Sequence, residues 1–408
     1  MIPPGRQRRR SIPAAMVAAI VLVAVATGCL PTSHRAAPTS RASTSAVPTP
    51  TPTPTVDPIA ALTMAQRVGQ VFMVGTPAST PAAITKQLVS GRHVGNIFLS
   101  GRSRSGVAAT AAVVAQFRAL VSLDSTGGEP LLVATDQEGG EVQVLQGPGF
   151  SSIPTGVAQS RLTTAALAAG ATGWGNQLAA AGVNMDLAPV VDVVASPAAA
   201  HLNPPIGAFQ REIGFVPSAI AAHAAVFRDG LASAHVISVD KHFPGLGLVS
   251  ANTDNRSGVT DRVTTSSSPS VGIYRSEIAA GLQCVMVSSA IYSRIDPKRP
   301  GVFSSAMITG LLRNGLGFDG VIMTDDVSAA RQTLAWSPAN RAILSLQSGV
   351  DLVLVSDNPA VAAQMVDAVL AKANSDPAFA EIVNNAARRV VELKAANGLV
   401  VAPAAAAG

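Results

Sequence analysis

From residue 68 onward, short and nearly continuous apolar runs recur along the chain. They cover 68–75 (VGQVFMVG), 94–100 (VGNIFLS), 130–135 (PLLVAT), 183–193 (VNMDLAPVVDV), 235–240 (HVISVD), 284–289 (CVMVSS), 320–324 (GVIMT) and 350–356 (VDLVLVS). Each has strand length, and the weak polar alternation describes strands covered on both faces. Between them lie Ala-rich stretches with apolar residues at helical spacing, such as 164–181 and 217–234. Strands alternating with helices make a parallel sheet, and eight such units in one folded unit predict an α/β (β/α)8 TIM-type barrel. A doubly wound open sheet is the rival. It would want G-x-G-x-x-G after the first strand or a P-loop, and the sequence has neither.

Polar residues gather where the predicted strands end. Asp136 and Glu138 follow the third run, Asp192 closes the fourth, Lys241 and His242 follow the fifth, Asp325 and Asp326 the seventh, and Asp357 the eighth. In a barrel those ends converge on one face, which is where catalytic groups sit. A carboxylate after one strand is ordinary; several on one rim make a site hypothesis.

The first 56 residues follow a different pattern. Arg6, Arg8, Arg9 and Arg10 precede an apolar stretch from about 12 to 26, which ends in Ala26-Thr27-Gly28-Cys29. A charged start, a short apolar run and small residues before a Cys are expected of a lipoprotein export signal over 1–28, with Cys29 as the lipidated N-terminus. Residues 30–56 hold six Pro and eleven Ser or Thr. Such a segment lacks the apolar surface to order itself, so 29–56 is expected to be an extended tether. The barrel is expected over 57–401, followed by an Ala-rich tail at 402–408. The implied location is the outer face of the cell membrane, reached by export.

Composition changes the picture in two ways. With 48% hydrophobic residues the 408-residue chain is no disordered protein, and it lacks the repeated apolar runs of a polytopic membrane protein. The net charge of +5 comes from the N-terminal segment: removing its six arginines leaves 23 basic against 24 acidic side chains over 57–408. That balance removes the electrostatic footprint of nucleic-acid binding. Cys284 is then the one remaining Cys, expected to be a buried small hydrophobe.

Four segments carry a resemblance. ATDQEGGEVQ (134–143), NMDLAPVVDV (184–193), DKHFPGLG (240–247) and GFDGVIMTDDV (317–327) occur in the order found in glycoside hydrolase family 3. The chain most resembles that family's single-domain bacterial β-N-acetylglucosaminidases, over about 62–398. The resemblance implies the same barrel and a retaining β-glycosidase acting on cell-wall, peptidoglycan-derived saccharide. It implies Asp325 as the nucleophile that forms a covalent glycosyl-enzyme, and Asp136, Lys241, His242 and Arg211 as sugar contacts. By residue chemistry alone Asp325 and Asp326 are also good caps for a following helix; Lys241 equally suits a pair with Asp240, and His242 a packed core position. Asp326 keeps the capping role.

The sequence departs from the family at its proton donor. In the resembling branch KHFPGHG leads to a loop with an Asp-x-His acid/base dyad. Here Leu246 replaces the second His, and the loop reads Asn252-Thr253-Asp254 where the dyad belongs. Ser289 stands where the family has a further His after the sixth strand. Asp254, with a pKa raised by burial, would supply the missing acid; Asp261 is a second carboxylate within reach along the chain. The alternative is a catalytically degenerate, membrane-tethered saccharide-binding lipoprotein. No metal-ligand spacing and no G-x-S-x-G motif are present, so no cofactor is expected. The partners implied are the saccharide and the membrane, with a monomeric barrel.

Overall fold

The computed structural model describes residues 57–399. The predicted signal, tether, Cys29 and the tail at 402–408 lie outside the described residues.

Eight parallel strands form the centre. They are β1 (Phe72–Pro77), β2 (Asn96–Ser100), β3 (Leu132–Thr135), β4 (Met185–Asp186), β5 (Ile237–Ser238 continuing as Asp240–Phe243), β6 (Cys284–Val287), β7 (Val321–Thr324) and β8 (Val353–Val355). One ladder runs β8-β1-β2-β3-β4-β5, and a second joins the end of β5 to β6 and β7. A parallel bridge between Met323 and Leu352 links β7 to β8, with the Thr324 N–H donating to the Leu352 carbonyl. The ring of eight is the predicted (β/α)8 barrel.

Strand periodicity sorts the side chains into two cores. Met73, Phe98, Leu132, Ala134, Cys284, Met286, Met323 and Leu354 point into the barrel, together with Val390 and Leu393 of the C-terminal helix. Their neighbours Phe72, Val74, Ile97, Val133, Val285, Ile322 and Val355 pack outward under the helices. Both sets are removed from water, which is why the strands read as continuous apolar runs. Cys284 is fully buried in the inner set, as expected of a small hydrophobe. Among the described residues no helix is long and apolar enough to cross a membrane.

Two boundaries differ from the sequence pattern. The run at 68–75 splits: Met64–Gln70 is a helix, and the strand begins at Phe72. Thr63 and Gln66 form a reciprocal capping box there, which satisfies the first free N–H groups and starts a helix. The run at 183–193 keeps only Met185–Asp186 as regular strand. Pro189 cannot donate to a ladder, so the segment leaves the sheet, touching β5 again at Val190 and Lys241.

Candidate active site

The C-terminal strand ends enclose a pocket of about 360 Å³, a size that suits a small ligand. Its floor is the top of the inner core, where Phe98, Met286 and Leu354 meet Leu187. Its walls include Asp136, Arg211, Lys241, His242, Asp254 and Asp325. All six candidate site residues of the barrel therefore share one pocket, although up to 189 positions separate them in sequence (325 − 136).

A bulge brings Lys241 and His242 to the same side. Lys241 pairs with Met286 of β6 and Phe243 with Val287, so His242 is the extra residue against the shorter partner. Such an insertion re-aims a side chain that strict alternation would send away. Asp240, one position earlier, points instead toward the helices, near Arg228 and Glu277. The suggested Lys241–Asp240 pair is thereby excluded.

Lys241 is held between two acids. Its Nζ lies 2.7 Å from Asp136 Oδ1 and 2.6 Å from Glu138 Oε1. Burial lowers the ammonium pKa, but the charges of Asp136 and Glu138 outweigh it and hold the group above its ordinary range. Glu138 also receives Arg211 in a two-point contact, Nε at 2.8 Å and Nη2 at 2.7 Å. Burial alone would push the Glu138 carboxyl up; Arg211 and Lys241 overcome that and bring it to about 2. Arg211 Nη1 donates to the Pro205 carbonyl at 2.7 Å, which fixes the loop after β4 over the pocket.

His242 has its own buried acid. Its Nδ1 lies 2.7 Å from Asp192 Oδ2, and Asp192 Oδ1 accepts the backbone N–H groups of His242 and Leu246. With Nδ1 engaged, Nε2 is the ring nitrogen left for the pocket. His242 is therefore neither isolated nor simply packed core.

Asp325 follows β7, and its N–H donates to the Val287 carbonyl at 3.1 Å. Burial raises its carboxyl to about 6; His242 opposes that rise, while Asp254 and Asp326 add to it. Asp326 performs the capping role, but on a loop rather than a regular helix. It accepts from Ser328 Oγ, from the backbone N–H groups of Ala329, Ala330 and Ser356, and from Ser356 Oγ. It ties the loop after β7 to the end of β8.

Asp254 reaches the same pocket from the loop after β5. That loop docks on the segment after β7: Gln332 N–H donates to the Thr253 carbonyl, Arg331 N–H to the Asp254 carbonyl. The Asp254 side chain stays open to solvent at the rim, yet pocket walls crowd it. That loss of solvation raises its pKa, and the Asp326 charge raises it further. Asp261 is different. Its carboxylate is buried and spent on the backbone N–H groups of Val263 and Thr264 and the Thr264 hydroxyl. It is a turn-former, which removes it as a proton donor.

A model of the glycosyl hydrolase family 3 N-terminal domain matches residues 63–393. The chain belongs to glycosyl hydrolase family 3. It is 30% identical over 317 residues to a beta-hexosaminidase of Idiomarina loihiensis, covering 76% of this chain and 91% of that one. To a beta-hexosaminidase of Methylococcus capsulatus it is 32% identical over 263 residues, covering 62% and 75%. Among solved structures, a beta-N-acetylhexosaminidase from Beutenbergia cavernae has a TM-score of 0.81 at 57% identity, covering 83% of this chain and 99% of that one.

Membership of family 3 makes the chain a glycoside hydrolase, and the departure at its proton donor has a defined place in the pocket. Leu246 is a buried wall residue whose N–H helps fix Asp192. His242 is the one His in the pocket wall. Sequence reasoning noticed Glu138 and Asp192 only as rim acids and gave them no role. Both lie inside the motifs that carry the family 3 resemblance, ATDQEGGEVQ and NMDLAPVVDV, which was the available signal. Among the described residues no cluster of three His, Cys, Asp or Glu side chains is set to hold a metal.

Proposed function

We propose that this protein is a retaining β-N-acetylhexosaminidase in which Asp325 is the nucleophile and Asp254 the general acid/base. The observation that carries the reading is their shared pocket: a half-buried carboxyl after β7 lines it together with a loop carboxyl, both with raised pKa. Beside them stands the charged array of Asp136, Glu138, Arg211 and Lys241.

The chemistry divides between the two acids. Asp325 attacks the anomeric carbon as the bond to the leaving oxygen breaks, and Asp254 gives that oxygen its proton. Water then attacks the glycosyl-enzyme, Asp254 takes the water proton, and Asp325 is released as carboxylate. Asp136, held by Lys241, offers a fixed acceptor for ring hydroxyls. His242, oriented by Asp192, presents Nε2 beside Asp325.

A mechanism-based fluorinated glycoside is expected to add one glycosyl group to intact protein, with peptide mapping to Asp325. Asp325→Ala abolishes labelling and turnover. Wild type that neither labels nor hydrolyses any β-glycoside, yet binds cell-wall saccharide, would establish the saccharide-binding lipoprotein instead.

The N-terminal pattern supports export and lipid anchoring at Cys29, and with it a cell-wall saccharide as substrate. Cys29→Ser is expected to release the protein from the membrane fraction. Full retention of that variant on membranes sinks the anchor.

A further inference from the structure

The pocket changes character at its mouth. Its interior is dense in carboxylates, whereas the turn after β4 contributes an exposed aromatic wall residue, Phe209 (46%). Phe209 is the one aromatic among the large hydrophobic side chains exposed in the described residues, and it also lines the pocket. An aromatic ring that is open to solvent and also forms part of a pocket wall is placed to meet a ligand.

The turn that carries the ring is firmly tied down. Asn203 Oδ1 accepts the N–H groups of Ile206 and Gly207, while Asn203 Nδ2 donates to the Leu246 and Val249 carbonyls. The turn carrying Phe209 is thus latched to the loop after β5. On its other side Arg211 is fixed by Glu138 and by the Pro205 carbonyl. Gln210, between Phe209 and Arg211, has φ of 55°. That left-handed conformation is costly for a residue with a Cβ, and it persists here because both flanks are pinned. A platform ordered before binding loses little entropy when a ligand stacks on it.

We propose that Phe209 is the platform of a leaving-group subsite that takes a second pyranose ring, selecting disaccharide over small-aglycone substrates. The argument rests on the hydrolase reading above. The carboxylate-rich interior suits the hydroxyl-lined sugar whose anomeric carbon meets Asp325. The ring at the mouth suits the C–H face of the sugar that leaves. Contact of an apolar face with an aromatic ring is worth a modest but measurable factor.

The test compares two substrates, N,N′-diacetylchitobiose and the β-fluoride of N-acetylglucosamine, whose leaving group is too small to reach the mouth. Phe209→Ala is expected to lower kcat/KM for the disaccharide by roughly tenfold more than for the fluoride. The excess loss is to fall mainly on KM. Phe209→Tyr, which keeps the ring, is to restore the disaccharide preference. Equal losses on both substrates, or no selective loss on the disaccharide, overturn the platform while leaving the hydrolase intact. Wild type inert on both substrates overturns the hydrolase reading, and the platform falls with it.

Discussion

Asp192 grips His242 twice, accepting the ring Nδ1 at 2.7 Å and the backbone N–H at 3.2 Å. The acid is fully buried and the imidazole nearly so, so the contact fixes both the position of the ring and the nitrogen that carries its proton. Asp192→Asn keeps the shape but offers His242 a wrong or neutral partner. A charge-assisted hydrogen bond of about 1.5–3 kcal/mol corresponds to a loss of roughly 10- to 100-fold in kcat/KM. Nitrogen NMR of the His242 ring is expected to report the changed tautomer. Unchanged kinetics with an unchanged ring spectrum would refute the orienting role.

Glu138 neutralises Arg211 and Lys241 together, so Glu138→Gln leaves two cations sharing Asp136. Breaking a buried ion network from one side costs about 3–5 kcal/mol. Denaturant unfolding is expected to show a loss of that order at neutral pH. The acid has a folded pKa of about 2 against an ordinary 4.5. Its stabilisation is therefore complete above pH 4.5 and disappears as pH falls toward 2. The difference between wild type and Glu138→Gln narrows over that interval; a constant difference contradicts the network.

Asp254→Ala separates proton donation from nucleophilic attack. In kcat/KM, which reports formation of the glycosyl-enzyme, a sugar leaving group is expected to lose roughly 10²–10⁴-fold, whereas an aryl glycoside with an acidic leaving group loses much less. Equal losses of kcat/KM on both substrates remove Asp254 from the acid role.

The pH profile follows from the same pair. Asp325 has to be ionised to attack, so kcat/KM in wild type is expected to drop as pH falls through about 6. Asp254 has to be protonated, so it sets the alkaline limb, and that limb disappears in Asp254→Ala.

Lys394 sits buried at the opposite end of the barrel, its Nζ 2.5 Å from Gln70 Oε1 and 3.1 Å from the Gly95 carbonyl. Burial lowers its pKa to about 7, with Glu129 offsetting only part of the drop. The unfolded chain therefore holds the extra proton between pH 7 and 10.5. The penalty for Lys394 is fully present below pH 7 and is relieved as pH rises through that interval. Lys394→Met is expected to flatten stability against pH there by one proton's worth of slope. An unaltered slope between pH 7 and 10 contradicts a lowered Lys394 pKa.

The barrel was legible in the chain alone. Its eight apolar runs are legible because strands buried on both faces leave no polar alternation, and that pattern needs only local chemistry. The helices at 164–180 and 217–232 were equally plain from their spacing. The carboxylates at strand ends located the rim, and the motifs around Asp136, Lys241 and Asp325 identified its chemistry. Tertiary structure decided the partnerships. Lys241 lies next to Asp240 in sequence, yet its partners are Asp136 and Glu138, because a strand sends neighbours to opposite faces and a bulge then turns His242 inward. Along the chain Asp254 was the first candidate acid and Asp261 the second. One faces the pocket and the other is consumed by its own turn, a difference set by how the loop docks on Gln332 and Arg331. Such contacts link segments about 50 to 105 residues apart, and their energies depend on burial that exists only once the barrel has closed.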